Sequence, residues 1–475
     1  MHRVNIIGLG GALLLASCSG SGTATDTGPE AMTPGTSNDG GAPGADGSIR
    51  TPEQVDAAPG TDSSTPPPDG SWAPPTETGN VAFPYTAYRC GYPVRQVSPS
   101  KPAAAFHGDM AVMAPKNLHL TFAGDPSTSV VIQWSTDDAS TATEVRFGES
   151  AQTLNKIAHG FSFTYGVPGR RQHELHLCGL EAGRTYYYDA GGGTMRSAVH
   201  HFVTAPANAT DVKVLVIGDT RTDPTIFAQI APKGLAEAPD VMILSGDAVA
   251  DGGNQSEWDQ LFAAGGDLLA EVPSIWAHGN HEGLDELYFA QLALPDNGGA
   301  EGVEEWFATT YGPIRFVVLN DTVKTAAQIT GVEKTFLSTT LAALDRARTP
   351  FAVAMHHQPL WTTSSGHASN TTLRSAWGPL FEQYHVNVDV AGHVHSYEST
   401  HPLKGGVVVP DAQGTRYFNF GGGGAPLYGF AATQPWILTR ESVHGYAIVT
   451  ASPTSMKWVA HRADGTTIET IDLPK

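Results

Sequence analysis

Hydrophobic and polar residues alternate in short runs between about residues 112 and 205 of the chain. The clearest runs are strand-like segments at 117–122, 129–134 and 185–188, and Gly, Asp, Ser and Pro residues separate them. Short alternating segments bounded by turn residues are typical of a small β-sandwich. We therefore predict an all-β domain of fibronectin or immunoglobulin type over residues 81–206.

From residue 211 the pattern changes to fully apolar segments that are separated by helix-like stretches. Segments such as 212–217 and 241–244 have the composition of buried strands, and residues 335–348 have a helical pattern. Strands that alternate with helices predict an α/β layered domain, which we place at residues 211–475.

The first residues of the chain are typical of an export signal. A short basic segment, Met1-His2-Arg3, precedes an apolar run at residues 4–16 that is too short to cross a membrane. The run closes with Leu15-Ala16-Ser17-Cys18, which resembles the lipobox of bacterial lipoproteins. We expect residues 1–18 to be a lipoprotein signal peptide and lipid on Cys18 to anchor the protein to the bacterial cell envelope (outer membrane, periplasm or cell surface). An ordinary secretory signal is the alternative.

Residues 19–80 consist almost entirely of small, polar and proline residues. Such a stretch buries too little apolar surface to offset its ordering entropy, so we predict a disordered tether. The tether is acidic and contributes much of the formal net charge of −20. The sequence shows no basic patch of the kind that binds nucleic acid.

Cysteine usage adds one covalent prediction. The chain has three cysteines, and Cys90 and Cys178 remain when Cys18 carries lipid. Outside the cytoplasm two remaining cysteines often pair. We predict a Cys90–Cys178 disulfide, with two buried free thiols as the alternative.

Polar residues with metal-binding chemistry follow directly after several predicted strands. Ligands of α/β sheets bind beyond the carboxyl ends of the strands, so these residues are expected to converge. Carboxylate, imidazole and amide oxygen together favour Zn, Mn or Fe over Ca, and a carboxylate shared by two ions forms a two-metal clamp. The residues are Asp219, Asp247, Asn280, His281, His356, His393 and His395.

The order of these residues resembles a known family. Blocks of the forms Gly-Asp, Gly-Asp, Gly-Asn-His-Glu, Val-x-x-His and Gly-His-x-His are similar to those of the calcineurin-like metallophosphoesterases. The preceding sandwich, with Trp134-Ser135-Thr136, makes the chain resemble the purple acid phosphatases more closely. The resemblance implies a β-sandwich core flanked by helices. The blocks lie at residues 218–219, 246–247, 279–282, 353–356 and 392–395.

The resemblance implies two metal positions that share the bridging residue Asp247. The ligands of the first position would be Asp219, Asp247 and His395. Those of the second would be Asp247, Asn280, His356 and His393. Two divalent or trivalent ions are expected, with Fe, Zn or Mn as the candidates.

Three further histidines have roles by the same resemblance. His281 would contact the substrate phosphate or protonate the leaving oxygen. His367 lies about where the family often has another substrate-binding histidine. His357 is expected to be a neighbour of the site rather than a ligand.

The chain departs from the family pattern at the first metal position. Purple acid phosphatases place a tyrosine ligand where this chain has Ala250, and Arg221 stands where they have glycine. We expect a first position with three protein ligands and no tyrosinate colour. Arg221 would either hold a substrate phosphate or pair with a neighbouring carboxylate. The glycines at 421–424 are interpreted as a tight turn beside the metal site.

These observations predict a metal-dependent hydrolase of small-molecule phosphoric esters that uses a binuclear centre and metal-bound hydroxide. Phosphomonoesters are the primary expectation, and phosphodiesters or nucleotides are the alternative. A non-catalytic lipoprotein with a decayed phosphoesterase domain is the alternative from another class, and Ala250 and Arg221 are its main support.

Overall fold

The computed structural model describes residue 72 and residues 74–97, 100–101 and 103–475. The predicted signal peptide, Cys18 and most of the predicted tether lie outside the described residues. Within the described part of the chain, no helix combines the length and the apolar composition needed to cross a bilayer.

The predicted all-β domain is present. Its strands form two facing sheets, in the orders β1-β6-β7-β3-β2 and β10-β8-β4-β5, and β9 pairs with β8. Trp134, Phe147, Leu175 and Tyr188 are fully buried between them. The strands are β1 Ala104–Phe106, β2 Lys116–Thr121, β3 Ser129–Thr136, β4 Glu144–Gly148, β5 Lys156–His159, β6 Phe161–Thr164, β7 Arg171–Cys178, β8 Thr185–Gly192, β9 Met195–Arg196 and β10 His200–Val203.

The second part of the chain alternates strands and helices, as predicted. Its helix near residue 335 ends earlier than the pattern suggested. In chain order the elements are β11 Val212–Ile217, α1 Pro224–Ala236, β12 Val241–Leu244, α2 Gln255–Glu271, β13 Ser274–Trp276, α3 Glu286–Gln291, β14 Phe307–Tyr311, β15 Ile314–Val318, α4 Ala326–Gln328, a π-helix Ile329–Glu333, α5 Lys334–Ala342, β16 Phe351–Met355, α6 Thr371–Gln383, β17 Val388–Ala391, β18 Tyr397–Thr400, β19 Leu403–Lys404, β20 Val407–Val408, a 3-10 helix Asp411–Gln413, β21 Arg416–Phe420, β22 Ile437–Glu441, β23 Gly445–Ala451, β24 Ser455–Arg462 and β25 Thr467–Pro474.

Two sheets form the centre of this second part. One has the order β13-β12-β11-β23-β24-β25 and the other β14-β15-β16-β17-β21-β18-β22. Apolar residues such as Val216, Ile243, Phe316 and Trp458 fill the space between them. Helix α6 covers the second sheet with residues that include Trp377. This is the layered fold that the resemblance implied.

The two parts share a sheet rather than meeting only at a seam near residue 206. Strand β2 of the sandwich pairs with β13, which makes one continuous sheet with eleven strands. Thr121 pairs with Ser274, whose hydroxyl donates to the carbonyl of Leu120 at 2.9 Å. Local patterning predicts strands but not the partner that an edge strand finds across domains.

Packing onto the sandwich begins before residue 80. The indole N–H of Trp72 donates to the carbonyl of Ile157 at 2.8 Å, and its ring lies 4.8 Å from that of Phe147. Asn80 pairs with Ala105 as an isolated β-bridge. Trp72 and residues 74–80 therefore belong to the packed structure, although the prediction placed them in the tether.

The predicted disulfide is confirmed. Cys90 and Cys178 are bonded, with their Cα atoms 5.1 Å apart. Both are buried beside Ala87, and Tyr85 and Tyr92 pack around them. The bond ties the segment before β1 to the end of β7.

Candidate metal centre

The loops after five strands converge on one site. Strands β11, β12 and β13 of one sheet and β16 and β17 of the other end beside it. Two groups of side chains bring their ligand atoms within 4.8 Å of one another, and Asp247 belongs to both. The groups are Asp219, Asp247 and His395, and Asp247, His357 and His393.

Strained backbone aims several of these residues into the site. Asp219, Asp247 and His393 have positive φ angles of 53°, 54° and 66°. L-residues avoid this region, and such strain collects at functional sites. Hydrogen bonds hold the loops together: the N–H of His393 donates to Asp219 at 2.9 Å, and that of His281 donates to Asp247 at 3.0 Å.

The glycines of the sequence blocks are needed for close approach. A Cβ atom on Gly279 would lie 2.1 Å from the amide nitrogen of Asp247. A Cβ atom on Gly392 would lie 2.4 Å from a carboxylate oxygen of Asp219. The run at 421–424 also lies here, since a Cβ atom on Gly421 would come within 2.8 Å of Asp219.

Three histidines present one ring nitrogen to the site and bond the other to a backbone carbonyl. The Nδ1 atoms of His357, His395 and His281 lie 2.9, 2.7 and 2.7 Å from the carbonyl oxygens of Ser245, Pro426 and Ala250 respectively. A carbonyl only accepts, so each Nδ1 carries a proton and each Nε2 is the nitrogen left to face the site. Metal-binding histidines in proteins are oriented in this way.

The two adjacent histidines after β16 have exchanged the roles that the sequence suggested. Nε2 of His357 lies 3.0 Å from the amide oxygen of Asn280 and 3.2 Å from Oδ1 of Asp247. Its ring also reaches Nδ1 of His393 at 3.2 Å. His357 therefore stands with Asn280, Asp247 and His393 at the second metal position.

His356 points away from this cluster, and the prediction that it is a ligand is wrong. Its Nδ1 and Nε2 atoms lie 3.0 and 2.9 Å from carboxylate oxygens of Asp321 and Asp389. Burial would lower the pKa of His356, but the two carboxylates raise it to about 10. Because carboxylates engage both ring nitrogens, neither nitrogen of His356 is directed at the cluster.

Two of the predicted ligands, Asp247 and His393, have the electrostatic character of a cation site. Burial would raise the pKa of Asp247, but His357 and the N–H of His281 hold it well below its usual range. Burial and neighbouring imidazoles lower the pKa of His393 to about 2, which keeps it neutral. An ionised carboxylate beside neutral imidazole suits a divalent transition metal.

Glu282 organises the loop that carries Asp247. Its carboxylate accepts the N–H groups of Asp247 at 3.1 Å, Gly279 at 2.8 Å and Ala248 at 2.5 Å. Burial and the nearby charge of Asp247 raise the pKa of Glu282 to about 7. The sequence block included this residue, but only the structure shows that it holds two loops in place.

Arg221 lies inside the first metal position. Its Nε donates to Oδ2 of Asp247 at 3.1 Å, and Nη2 lies 3.1 Å from Nε2 of His395. The contact with a neighbouring carboxylate was one of the two expected roles. The contact with His395 was not anticipated.

His281 and His367 border the cluster on its open side. The side chain of His281 is 32% exposed, and its Nε2 lies 3.9 Å from Asp247. The ring of His367 lies 3.9 Å from that of His393. Both predicted substrate histidines therefore reach the site.

Tyr428 is a site residue that the sequence analysis missed. Its ring stacks on His395 with centroids 4.2 Å apart, and its hydroxyl lies 3.4 Å from Nε2 of His367. It comes from the loop after the glycine turn at 421–424, which was expected beside the metal site. That position was the one signal in the sequence.

Comparisons with known proteins match both parts of the chain. Residues 115–204 match a family model described as the purple acid phosphatase N-terminal domain, and residues 212–397 match the calcineurin-like phosphoesterase model. Purple acid phosphatase 1 of Ipomoea batatas is 27% identical over 76% of this chain and 83% of its own. Phosphoenolpyruvate phosphatase of Allium cepa is 25% identical over 70% of this chain and 76% of its own.

A solved structure shares the fold. Purple acid phosphatase PPD1 from yellow lupin (Lupinus luteus) seeds superposes with a TM-score of 0.67 at 20% identity, over 78% of this chain and 79% of the lupin chain. The chain therefore carries a purple acid phosphatase N-terminal domain followed by a calcineurin-like phosphoesterase domain, and it is a hydrolase that acts on phosphoric esters.

Proposed function

We propose that this protein hydrolyses small phosphomonoesters at a metal centre built on Asp247. The observation that carries the proposal is the pair of donor groups that share this carboxylate. Asp219 and His395 complete the first position, and Asn280, His357 and His393 complete the second. Oxygen and nitrogen donors of this kind suit Fe, Zn or Mn.

Bound metal would supply Lewis-acid activation of water and neutralise charge on the phosphoryl group. The protein's own part is to fix the donors before substrate arrives. Glu282 holds the Asp247 loop, and backbone carbonyls fix the rings of His357 and His395. Preorganised donors need no rearrangement during the reaction.

His281 is placed to handle the proton of the leaving group. Its Nδ1–H donates to the carbonyl of Ala250 at 2.7 Å, which fixes the ring, and its Nε2 is the nitrogen on the Asp247 side of the site. In its protonated form, Nε2 can donate to the departing oxygen. His367, with the Tyr428 hydroxyl 3.4 Å from its Nε2, borders the same space and would contact the phosphate ester.

The test compares turnover of a chromogenic phosphomonoester with that of the corresponding bis-ester. The wild-type protein is measured beside Asp247→Ala and beside a control, Asp464→Ala, which removes an exposed carboxylate. We expect faster monoester turnover, which Asp247→Ala abolishes together with metal binding. Faster bis-ester turnover would favour the phosphodiesterase alternative. Absence of metal and turnover in the wild type would refute the proposal.

We also propose that the catalytic part is attached to a bacterial cell envelope through lipid on Cys18. The support is the lipobox-like tetrad that closes the apolar run at residues 4–16. The mass of the mature N-terminus tests this, with Cys18→Ser as the control that cannot be acylated. An unmodified Cys18 in the mature protein would overturn it.

A further inference from the structure

Arg221 contacts the donor atoms that a metal ion at the first position would bind. Its Nε donates to Oδ2 of Asp247 and its Nη2 lies against Nε2 of His395, both at 3.1 Å. Nδ1 of His395 is turned to the carbonyl of Pro426 at 2.7 Å, so Nε2 is the nitrogen with the lone pair. The guanidinium thus uses the same lone pairs that the first ion would use.

An ion and this guanidinium cannot share the position. A transition metal binds imidazole nitrogen and carboxylate oxygen at about 2.0–2.2 Å, along the lone pairs that now receive the N–H groups of Arg221. The two cations would also repel each other at close range in a buried place. Only 13% of the Arg221 side chain is exposed, so solvent screens that repulsion poorly.

The position of Arg221 is fixed by its surroundings. Its backbone N–H donates to the carbonyl of Asp247 at 3.3 Å, and Nη1 donates to the hydroxyl of Thr222 at 3.2 Å. Thr222 has a positive φ angle of 76°, which bends the chain directly after the arginine. Gly424 packs against this turn, since a Cβ atom there would lie 3.0 Å from the carbonyl oxygen of Arg221.

Among the described residues, the side chains grouped at the first position are Asp219, Asp247 and His395. Ala250, which has no side-chain donor, stands where the resembling family has a tyrosine, and its carbonyl is taken by His281. The second position is different, because Asn280, His357 and His393 gather beside Oδ1 of Asp247, whereas Arg221 contacts Oδ2. The positive charge of the guanidinium therefore lies at the first position and not at the second.

We propose that the Arg221 guanidinium takes the place of the first metal ion, so that this chain binds one ion tightly, at the second position. The proposal rests on the proposed function, since it assumes that the second position holds a metal. Three of the five N–H groups of Arg221 are used by Asp247, His395 and Thr222. The other two can donate to a phosphoryl oxygen that an ion would otherwise bind.

The experiment titrates metal-free protein with Mn²⁺ and records the number of ions bound and the electron paramagnetic resonance spectrum. Wild type is compared with Arg221→Met, which keeps the length but loses the charge. Arg184→Met is the matched control, because Arg184 is exposed and pairs only with Glu181 among the described residues. Asp247→Ala tests the shared carboxylate.

We expect one tightly bound Mn²⁺ in wild type and in Arg184→Met, with the spectrum of an isolated ion. Arg221→Met is expected to bind a second Mn²⁺ at least about a hundredfold more tightly than wild type does, with exchange coupling between the ions. Two ions of similar affinity in wild type would overturn the proposal, even if Arg221→Met does not fold. Absence of any bound ion in wild type would instead refute the proposed function itself.

Discussion

The adjacent histidines His356 and His357 allow a sharp test of the proposed assignment, in which His356 stabilises the fold and His357 binds the metal. His356 lies between the carboxylates of Asp321 and Asp389, and all three side chains are buried. His356→Ala leaves two buried carboxylates without their cation. Breaking a buried ion pair in this way costs about 3–5 kcal/mol.

His357→Ala is expected to act differently. It removes the ring that lies 3.0 Å from Asn280 and 3.2 Å from Asp247, and with it a ligand of the second position. A metal present at a thousand times its dissociation constant stabilises the folded protein by about 4 kcal/mol. His357→Ala is expected to lose this metal-dependent stabilisation. His356→Ala is expected to keep it, although the metal-free protein is less stable than wild type.

The assay is chemical or thermal unfolding of both variants, each with and without saturating Zn²⁺ or Mn²⁺. The difference between the two conditions isolates metal binding from the cost of the mutation itself. Metal content of the purified variants gives an independent reading. If His356→Ala loses the metal-dependent increment and His357→Ala retains it, the assignment drawn from the ring contacts is refuted.

Three further predictions follow from single features of the structure. Glu282→Ala removes the acceptor of three backbone N–H groups and is expected to weaken metal binding about 10–100-fold, measured by competition with a chelating dye. Replacing both Cys90 and Cys178 by alanine is expected to lower the free energy of unfolding by about 2–5 kcal/mol without changing the metal content. Burial raises the pKa of Glu304 from 4.5 to about 7, so the folded state holds a proton that the unfolded chain has released. Stability is therefore expected to fall as the pH rises across this range, and Glu304→Gln is expected to flatten that fall in unfolding measured against pH.

The sequence predicted the elements and the place of the site because both depend on local signals. Apolar runs gave the buried strands, and the polar residues directly after them marked the edge where ligands bind. Asp219, Asp247, Asn280, His393 and His395 all reach that edge. The positive φ angles of Asp219, Asp247 and His393 were not predicted, since they arise from loop closure against neighbouring strands.

The sequence did not predict contacts between residues that are far apart along the chain. The continuous sheet depends on β2 finding β13, and Tyr428 reaches His395 from a separate loop. Because Trp72 packs on Phe147, packing against the sandwich begins inside the range predicted for the tether. In each case the two partners are far apart in sequence, and the composition near either residue does not predict the contact.

The wrong prediction for His356 shows that a sequence pattern does not decide which of two adjacent histidines faces the site. A strand turns successive side chains to opposite faces, so a slip of one residue at its end exchanges a metal ligand for a buried ion pair. Two adjacent histidines match the same block equally well by residue type. What separates them is the set of partners: carboxylates engage both nitrogens of His356, whereas a carbonyl engages one nitrogen of His357 and leaves the other for the site. The same reasoning applies to Arg221, because its role at the first metal position follows from the lone pairs it contacts and not from its place in a motif.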